Sequence, residues 1–369
     1  MRTDEFIQAI DTLTPGEALR TRILNLNPRS GRTRLEQPGR LLAVLGAAAV
    51  VCACAVIAVA AMGRGGAPGV GEGVTGAAGT LSGMPASQSG AEATESAAVS
   101  IPKDIINFLI LGTDLDAVRL QAGMTGSTDC IMLACVNTKT KTLSLISIPR
   151  DTYVMLYDEN NTPMKRDRIN AAYKAGGGLQ KQGIEYAVNT VRQYLGGAVP
   201  IDYYALFDMD LAKELIDAAG GVTVDVDISA DLGDVRLTPG RKKLSGAAAL
   251  AYARDRHHTE DGDIGRVGHQ RQILIALLKE LQNKKDITAK IPELCEAFPG
   301  RITTNLDSLE DIMSLAFVAK DIDADAVKQY TIDGTFQTAD GMSVIVSDPG
   351  KKEEIIHEVF GVDIASPGD

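Results

Sequence analysis

The chain has 369 residues, of which 45% are hydrophobic and 23% charged. This length and composition predict one large or two ordinary folded domains with a sizeable core, and they exclude a disordered chain. The formal net charge of -11 at pH 7 argues against general nucleic-acid binding, because a protein that binds the phosphate backbone presents a net basic face.

A long apolar window comes first in chain order, at residues 41–62 (LLAVLGAAAVVCACAVIAVAAM). As a helix it would be roughly 33 Å long, enough to cross a hydrocarbon core of about 30 Å. A cleavable signal peptide is the alternative, but the window and the segment before it both exceed the usual lengths. Arginines are concentrated between Arg20 and Arg40, so the positive-inside rule predicts a cytoplasmic segment 1–40, one transmembrane helix at 41–62 and an extracellular remainder.

The apolar window is followed by a segment with almost no large apolar residues. Residues 63–103 consist mainly of Gly, Ala, Ser and Thr, which predicts a flexible linker. Folded sequence begins at residue 104. We divide it into residues 104–285 and a C-terminal part of the same extracellular domain, residues 286–369.

The folded region alternates strand-like and helix-like patterns. Apolar, β-branched segments predict strands from residue 104, at 130–136 and 142–148, the last two forming a hairpin, and at 222–228. Amphipathic patterns predict helices at 179–195, 208–219, 245–256 and 266–284, with further helices near 307–320 and 349–360 and strands near 326–332 and 341–347. This alternation predicts an α/β fold, a layered α-β-α domain with a central mixed sheet.

Two cysteines share one predicted strand. Cys130 and Cys135 are an odd number of residues apart, so their side chains are expected to face opposite sides of the sheet and not to pair. We interpret them as small buried apolar residues rather than as redox or metal-binding groups.

Charged residues stand at the ends of the first three predicted strands. Asp114 follows the first strand, Asp129 precedes the second, and Arg150 and Asp151 follow the third in the sequence SIPRD. If these strands are neighbours, the four charges gather at one edge of the sheet, where open α/β sheets usually bind ligands. Solvated loop charges or helix caps are the alternative interpretation.

A second charged group lies in the segment YARDRHHTEDGDIGRVGHQ. Arg254 and Arg256 are two residues apart at the end of a predicted helix. Asp263 precedes the next predicted helix, on which Arg266 and Gln270 share one face. Guanidinium groups offer planar donors that match phosphate oxygens, so three arginines around this loop could form a site for a polyanion such as a diphosphate. Nearby carboxylates would bind Mg²⁺ together with the phosphates. Solvated surface arginines are the alternative interpretation.

The same loop has a competing interpretation as a zinc site. Its candidate ligands are His257, His258, Glu260, Asp261 and Asp263. Adjacent histidines rarely converge on one ion, and the loop has no CxxC or HExxH pattern, so the diphosphate interpretation is favoured.

The chain resembles the LytR-CpsA-Psr family from about residue 105 to residue 281. The resemblance is carried by eight segments in order: FLILGTD, STDCIMLACVN, SIPRDTYV, RINAAY, DYYALFDM, LIDAAGGVTVDV, LTPGRKKLSGAAALAYARDR and DIGRVGHQRQ. It implies a membrane-anchored phosphotransferase at a Gram-positive type cell envelope, with residues 104–285 as the catalytic domain. Such an enzyme attaches a glycopolymer of the teichoic acid or capsule type, carried on polyprenyl diphosphate, to peptidoglycan through a phosphodiester bond.

The resemblance also implies roles for individual residues. Asp114 and Asp129 correspond to carboxylates that hold Mg²⁺ or Mn²⁺. The catalytic set it implies is Asp114, Asp129, Arg150, Arg254 and Arg256. The substrate-binding set is Arg119, Asp151, Arg168, Arg266 and Gln270. Ser127 and His269 stand where the family often has arginine, and Arg119 is expected to replace one missing contact.

The implied partners are the lipid-linked glycopolymer, the peptidoglycan acceptor and the membrane, with no nucleic acid. The apolar stripes in ALFDMDLAKELI and ILIALLKEL are expected either to line a tunnel for the isoprenoid tail or to pack as ordinary core. A hydrolase that cleaves the lipid diphosphate with water is an alternative from the same chemistry. A non-catalytic envelope-binding regulator is the alternative from another functional class.

Overall fold

The computed structural model describes residues 102, 104–115, 119, 124–259, 262–283, 303–306, 315, 318–319 and 321–364. The predicted cytoplasmic segment 1–40, the predicted membrane span 41–62 and nearly all of the predicted linker lie outside these residues. Within the described ranges, no helix has both the length and the apolar character needed to cross a bilayer. The predicted domain boundaries stay predictions.

The strands and helices follow one another in chain order. The strands are β1 (Ile105–Thr113), β2 (Thr128–Asn137), β3 (Thr142–Ser147), β4 (Tyr153–Tyr157), β5 (Pro163–Arg168), β6 (Tyr203–Phe207), β7 (Val222–Val226), β8 (Ala230–Leu232), β9 (Val235–Leu237), β10 (Gly240–Leu244), β11 (Thr303–Thr304), β12 (Lys328–Thr331), β13 (Gly334–Ala339) and β14 (Met342–Ser347). The helices are α1 (Ala171–Ala175), α2 (Gly183–Tyr194), α3 (Met209–Ala218), α4 (Gly246–Arg254), α5 (Asp263–Gln282) and α6 (Pro349–Phe360).

A six-stranded sheet forms the centre of the fold, in the order β11-β6-β1-β2-β3-β12. β1 is antiparallel to β2 and parallel to β6, and β3 is antiparallel to β2 and parallel to β12. The sheet is therefore mixed. The remaining strands form two-stranded sheets around it, β4 with β5, β7 with β10, β8 with β9 and β13 with β14.

Both faces of the sheet are covered, which explains why β1 is buried along its whole length. Alternate residues of a strand point to opposite faces. Phe108 and Ile110 contribute to a core shared with α3, α4 and α5. Leu109 and Leu111 contribute to a second core shared with α2 and α6. The layered α-β-α fold predicted from the sequence is therefore confirmed.

The two cysteines follow the same alternation. Cys130 packs against the core of the α3, α4 and α5 side, and Cys135 belongs to the core of the opposite side. The prediction that they face opposite sides of the sheet is confirmed, and both are free thiols.

The direction of the central strands places several chain segments at one edge of the sheet. β1, β3, β6 and β12 all run toward this edge, and β2 begins there. The loops after β1 and β3 and the start of β2 are consequently neighbours. These are the segments in which the sequence places Asp114, Asp129 and Arg150.

Candidate active site

A β-bulge aims Asp129 into the site. Gly112 pairs with Cys130 and Thr113 pairs with Thr128, so Asp129 is an extra residue without a partner on β1. A bulge of this kind redirects a side chain relative to strict alternation. As a result, Asp129 and Cys130 line the same cavity although they are adjacent in a strand.

Arg150 stands in a turn whose backbone is fixed on several sides. The Thr152 hydroxyl and the Thr152 amide both donate to the carbonyl of Pro149, at 2.6 and 3.1 Å. The Ile345 amide donates to the carbonyl of Asp151, and the Asn170 amide donates to the carbonyl of Arg150. The β13–β14 hairpin and the loop after β5 therefore hold the SIPRD turn at the sheet edge.

Three arginines and three aspartates form a continuous ion-pair cluster at this edge. Arg150 Nη1 donates to Asp129 Oδ2 at 2.7 Å, and Arg150 Nε lies 3.7 Å from Asp151 Oδ2 and 3.8 Å from Asp263 Oδ1. The outer members of the cluster extend it on both sides. Arg168 Nε lies 3.4 Å from Asp151 Oδ1, and Arg266 Nη2 lies 2.7 Å from Asp263 Oδ1.

Burial shifts the proton affinities within the ion-pair cluster. Burial alone would lower the pKa of Arg150, but the hydrogen bond and charge of Asp129 outweigh it and raise the pKa above its usual value. For Arg266 burial prevails and lowers the pKa despite the charge of Asp263. Burial raises the pKa of Asp263, and Arg266 offsets only part of the shift. Perturbed groups gathered in one crevice are typical of a functional site.

An apolar cavity of about 140 Å³ opens beside the ion-pair cluster. Its walls come from the central sheet and from α3, α4 and α5. The lining side chains from the helices are Met209, Ala212, Leu215, Ile216, Ala249, Leu250, Ala253, Ile273, Leu274 and Leu277. Asp129, Arg254 and Gln270 supply its polar groups together with Thr113. The two apolar stripes identified in the sequence therefore face the same cavity.

The structure separates the members of the second charged group. Arg254, the last residue of α4, and Gln270 of α5 reach the cavity, whereas Arg266 joins the ion-pair cluster. Arg256 is exposed in the loop after α4 and has no ion pair with a described residue of the cluster. Arg168 donates to the Ser343 carbonyl through Nε at 3.0 Å and Nη2 at 2.7 Å, which joins it to the β13–β14 hairpin.

Asp114 and Arg119 form a separate pair at the same edge. Arg119 Nη1 lies 2.9 Å from Asp114 Oδ2, and the Ser127 amide donates to Asp114 Oδ1 at 2.7 Å. Gly126 has a φ of +65°, and a Cβ there would lie 2.5 Å from Leu115. Only glycine adopts this backbone conformation without strain, so Gly126 allows the loop to fold back over Asp114.

Asp263 was not among the site residues predicted from the sequence. It was noted only for its place before a helix and as a zinc candidate, whereas in the structure it contacts Arg150 and Arg266. The spacing of Asp263 and Arg266 on one helical face is the sequence signal that identifies the local pair. Its contact with Arg150 depends on the tertiary fold.

The donor set fits a hard divalent cation bound together with a phosphate. Asp114 follows β1 and Asp129 lies near the start of β2, and the Asp114 amide donates to the carbonyl of Ser127 between them. Mg²⁺ commonly takes one or two carboxylates plus phosphate oxygens and water. Buried carboxylate oxygens of Asp151 and Asp263 accept no well-aligned hydrogen bond, although both lie near arginines. Among the described residues, no three His, Cys, Asp or Glu side chains form a metal cage by themselves.

Comparison with known proteins agrees with this geometry. The LytR_cpsA_psr family model matches residues 76–361. "Polyisoprenyl-teichoic acid--peptidoglycan teichoic acid transferase TagU" of Bacillus licheniformis is 32% identical over 213 residues, which cover 57% of this chain and 64% of that protein. The protein of the same name from Bacillus subtilis is 30% identical over 259 residues, which cover 70% of this chain and 78% of that protein.

A solved structure extends the likeness to the fold. The crystal structure of B. subtilis TagV is 28% identical with a TM-score of 0.57, and the match covers 71% of this chain and 99% of that chain. The matched family model spans most of the chain, including the sheet edge with its ion-pair cluster. The chain therefore belongs to the LytR_cpsA_psr family.

Proposed function

We propose that the chain is a phosphotransferase that attaches a polyprenyl-diphosphate-linked glycopolymer, of the teichoic acid or capsule type, to peptidoglycan through a phosphodiester bond. The observation that supports it most is the meeting of an arginine cluster with an apolar cavity. A ligand that fits both has an anionic headgroup and an apolar chain. The names of the relatives as teichoic acid transferases agree with this class of substrate.

The reaction would proceed by displacement at phosphorus. The acceptor hydroxyl oxygen bonds to the phosphorus that carries the glycopolymer, the bond from this phosphorus to the bridging oxygen breaks, and polyprenyl phosphate leaves. The hydroxyl proton passes to a carboxylate, for which Asp114 and Asp129 are the candidates. Such transfers depend mainly on positioning and charge stabilisation, which guanidinium groups supply.

Arg150 would be the central group of the site. Its turn is fixed by hydrogen bonds on several sides, so its guanidinium needs little rearrangement to meet the charge that develops on the transferred group. Arg254 at the cavity mouth would contact the second phosphate. Because the ion-pair cluster has as many carboxylates as guanidiniums, an anionic ligand must replace some of these ion pairs.

A divalent cation, Mg²⁺ or Mn²⁺, would be held by Asp114 and Asp129. When bound, it would neutralise charge on the diphosphate. This would leave the guanidinium groups of Arg150, Arg254 and Arg266 to contact phosphate oxygens.

The cavity would take the first part of the isoprenoid tail. Its volume of about 140 Å³ resembles that of an engineered cavity that accepts benzene, so a longer tail requires the cavity to widen or the tail to extend beyond it. A membrane anchor at residues 41–62 would keep the extracellular domain close to the outer leaflet, where such a lipid lies.

The test is product analysis with purified full-length protein, a lipid-linked glycopolymer and peptidoglycan fragments. We expect a phosphodiester-linked product with the intact acceptor. No such product should form when the C6 hydroxyl of the N-acetylmuramic acid residues in the acceptor is blocked. Free glycopolymer phosphate released equally with and without acceptor would instead identify a hydrolase. Absence of turnover with bound lipid would favour a non-catalytic regulator.

A further inference from the structure

A polar network joins α4 to α5 beside the cavity mouth. The His269 ring stacks on the Tyr252 ring with centroids 3.9 Å apart. His269 Nε2 lies 2.9 Å from Asp227 Oδ1, and the Tyr252 hydroxyl lies 2.8 Å from the same oxygen and 2.9 Å from Gln272 Oε1. His269 and Tyr252 are both almost fully buried.

Both ring nitrogens of His269 face oxygen acceptors. Nδ1 lies 3.1 Å from the carbonyl oxygen of Tyr252, which can only accept, and Nε2 faces the Asp227 carboxylate. The Tyr252 carbonyl also accepts from the Asp255 amide at 3.3 Å, and Asp227 Oδ1 also accepts from the Tyr252 hydroxyl, so His269 adds to contacts that already exist at both oxygens. The Asp227 side chain is 57% exposed, so one side of the carboxylate stays hydrated.

The network contacts the last turn of α4. The final carbonyls of a helix lack the regular partners of the helix interior. The Asp255 amide donates to the Tyr252 carbonyl at 3.3 Å, and side chains of α5 add contacts to two carbonyls of this turn. His269 faces the Tyr252 carbonyl, and Gln270 Nε2 donates to the Ala253 carbonyl at 3.5 Å. The next residue is Arg254, which lines the cavity mouth.

The phenol of Tyr252 is suited to be a donor in this network. Burial and the hydrogen bond and charge of Asp227 raise the pKa of Tyr252 above its usual value. The hydroxyl therefore keeps its proton and donates to the carboxylate. The neighbouring Asp225 is exposed, has no hydrogen bond with His269 or Tyr252, and raises the pKa of Tyr252 less than Asp227 does. It therefore offers a control for the loss of a nearby negative charge alone.

We propose that Asp227, Tyr252 and His269 are positioning residues that fix the end of α4 against α5 and so hold Arg254 at the cavity mouth. This rests on the proposed function in so far as the ligand of Arg254 is a diphosphate. The three residues touch no reacting atom. Their effect reaches the ligand through the backbone of α4, which is why a conservative substitution should show it without unfolding the protein.

The experiment compares Asp227→Asn with the control Asp225→Asn in the full-length protein. Asp227→Asn keeps the side-chain shape but removes the charge that faces His269. We expect geranylgeranyl diphosphate to bind at least about tenfold more weakly, because the hydrogen bonds that Tyr252 and His269 make to a charged carboxylate become weaker bonds to a neutral amide oxygen. The control should bind like the unchanged protein, and both variants should keep its thermal midpoint within a few degrees.

Two variants of His269 distinguish its contact with the Tyr252 carbonyl through Nδ1 from its contact with Asp227 through Nε2. In His269→Asn the amide nitrogen approximates Nδ1, and in His269→Gln it approximates Nε2. We expect His269→Asn to retain tighter diphosphate binding than His269→Gln, because it keeps the donor to the α4 carbonyl. The proposal would be overturned if both variants bound the diphosphate as tightly as the unchanged protein does. It would also be overturned if any loss of binding affinity simply followed a loss of thermal midpoint.

Hydrogen exchange supplies a measurement that needs no ligand. In Asp227→Asn, amide exchange should accelerate several-fold in residues 252–256 and stay unchanged in α2, with no change in Asp225→Asn. Unchanged exchange at the end of α4 would also overturn the proposal. If the unchanged protein binds no diphosphate, the proposed function fails while this measurement still decides the positioning role.

Discussion

At the scale of single residues, the site is a balanced set of charges. Each guanidinium of the cluster lies within 4 Å of a carboxylate, and burial strengthens such pairs because the local dielectric is low. Arg150 contacts three of these carboxylates. It is therefore the residue whose replacement should separate chemistry from folding most clearly.

We expect Arg150→Ala to lower the rate of glycopolymer transfer by about 100- to 1,000-fold, the loss typical when one preorganised charge-stabilising donor is removed. Arg150→Lys should also be strongly impaired, because an ammonium group lacks the planar pair of donors. Circular dichroism should show an intact fold for both. A well-folded Arg150→Ala variant with full transfer activity would contradict this role. Arg241 is exposed, so Arg241→Ala serves as the control and should keep the transfer rate of the unchanged protein.

The charged residues at the strand ends could be selected from the sequence because open α/β sheets usually bind ligands at the edge where neighbouring strands end. Asp114, Asp129 and Arg150 were selected in this way, and the strand order brings their loops together. The bulge at Asp129 could not be predicted, since it depends on the pairing register with β1. The bridging position of Asp263 needed the fold for the same reason.

At the scale of elements, α3 forms one wall of the cavity, and the residue just before the helix caps its N-terminus. Asp208 is the N-cap of α3, and its side chain accepts a hydrogen bond from the Leu211 amide at 2.7 Å. Four side chains of α3 line the cavity. A frayed α3 would therefore change the shape of the cavity as well as the stability of the helix.

Replacing Asp208 with alanine should lower the free energy of unfolding by about 1 kcal/mol, the usual cost of losing an N-cap. Asp208→Ser should recover most of it, because serine also caps helices. Denaturant titration of the three proteins measures the effect. Equal losses in Asp208→Ala and Asp208→Ser would show that the negative charge, rather than the cap, matters at this position.

The elements with clear hydrophobic periodicity were predicted well, and the others were not. The buried strands β1, β2 and β3 and the helices α3, α4, α5 and α6 match their predicted segments closely. β6 was not predicted because its short apolar segment runs directly into the apolar pattern of α3, which periodicity cannot divide. β5 was not predicted because its sequence, PMKRDR, is exposed and charged.

At the scale of the whole molecule, the C-terminal region completes the central sheet and its cores. β12 extends the sheet beside β3, and Arg271 of α5 donates to the Tyr330 carbonyl at 2.9 Å. Ile356 and Phe360 of α6 belong to the core opposite the cavity. The β13–β14 hairpin contacts both Arg168 and the SIPRD turn, so residues after 285 support the site directly.

The central claim is that one ligand occupies both the ion-pair cluster and the apolar cavity. The most direct measurement is a crystal structure of the protein with geranylgeranyl diphosphate and Mg²⁺. We predict that the diphosphate contacts the guanidinium groups of Arg150 and Arg254 and that the isoprenoid chain enters the cavity between α3, α4 and α5. A diphosphate bound away from these arginines, or a chain lying outside this cavity, would contradict the claim.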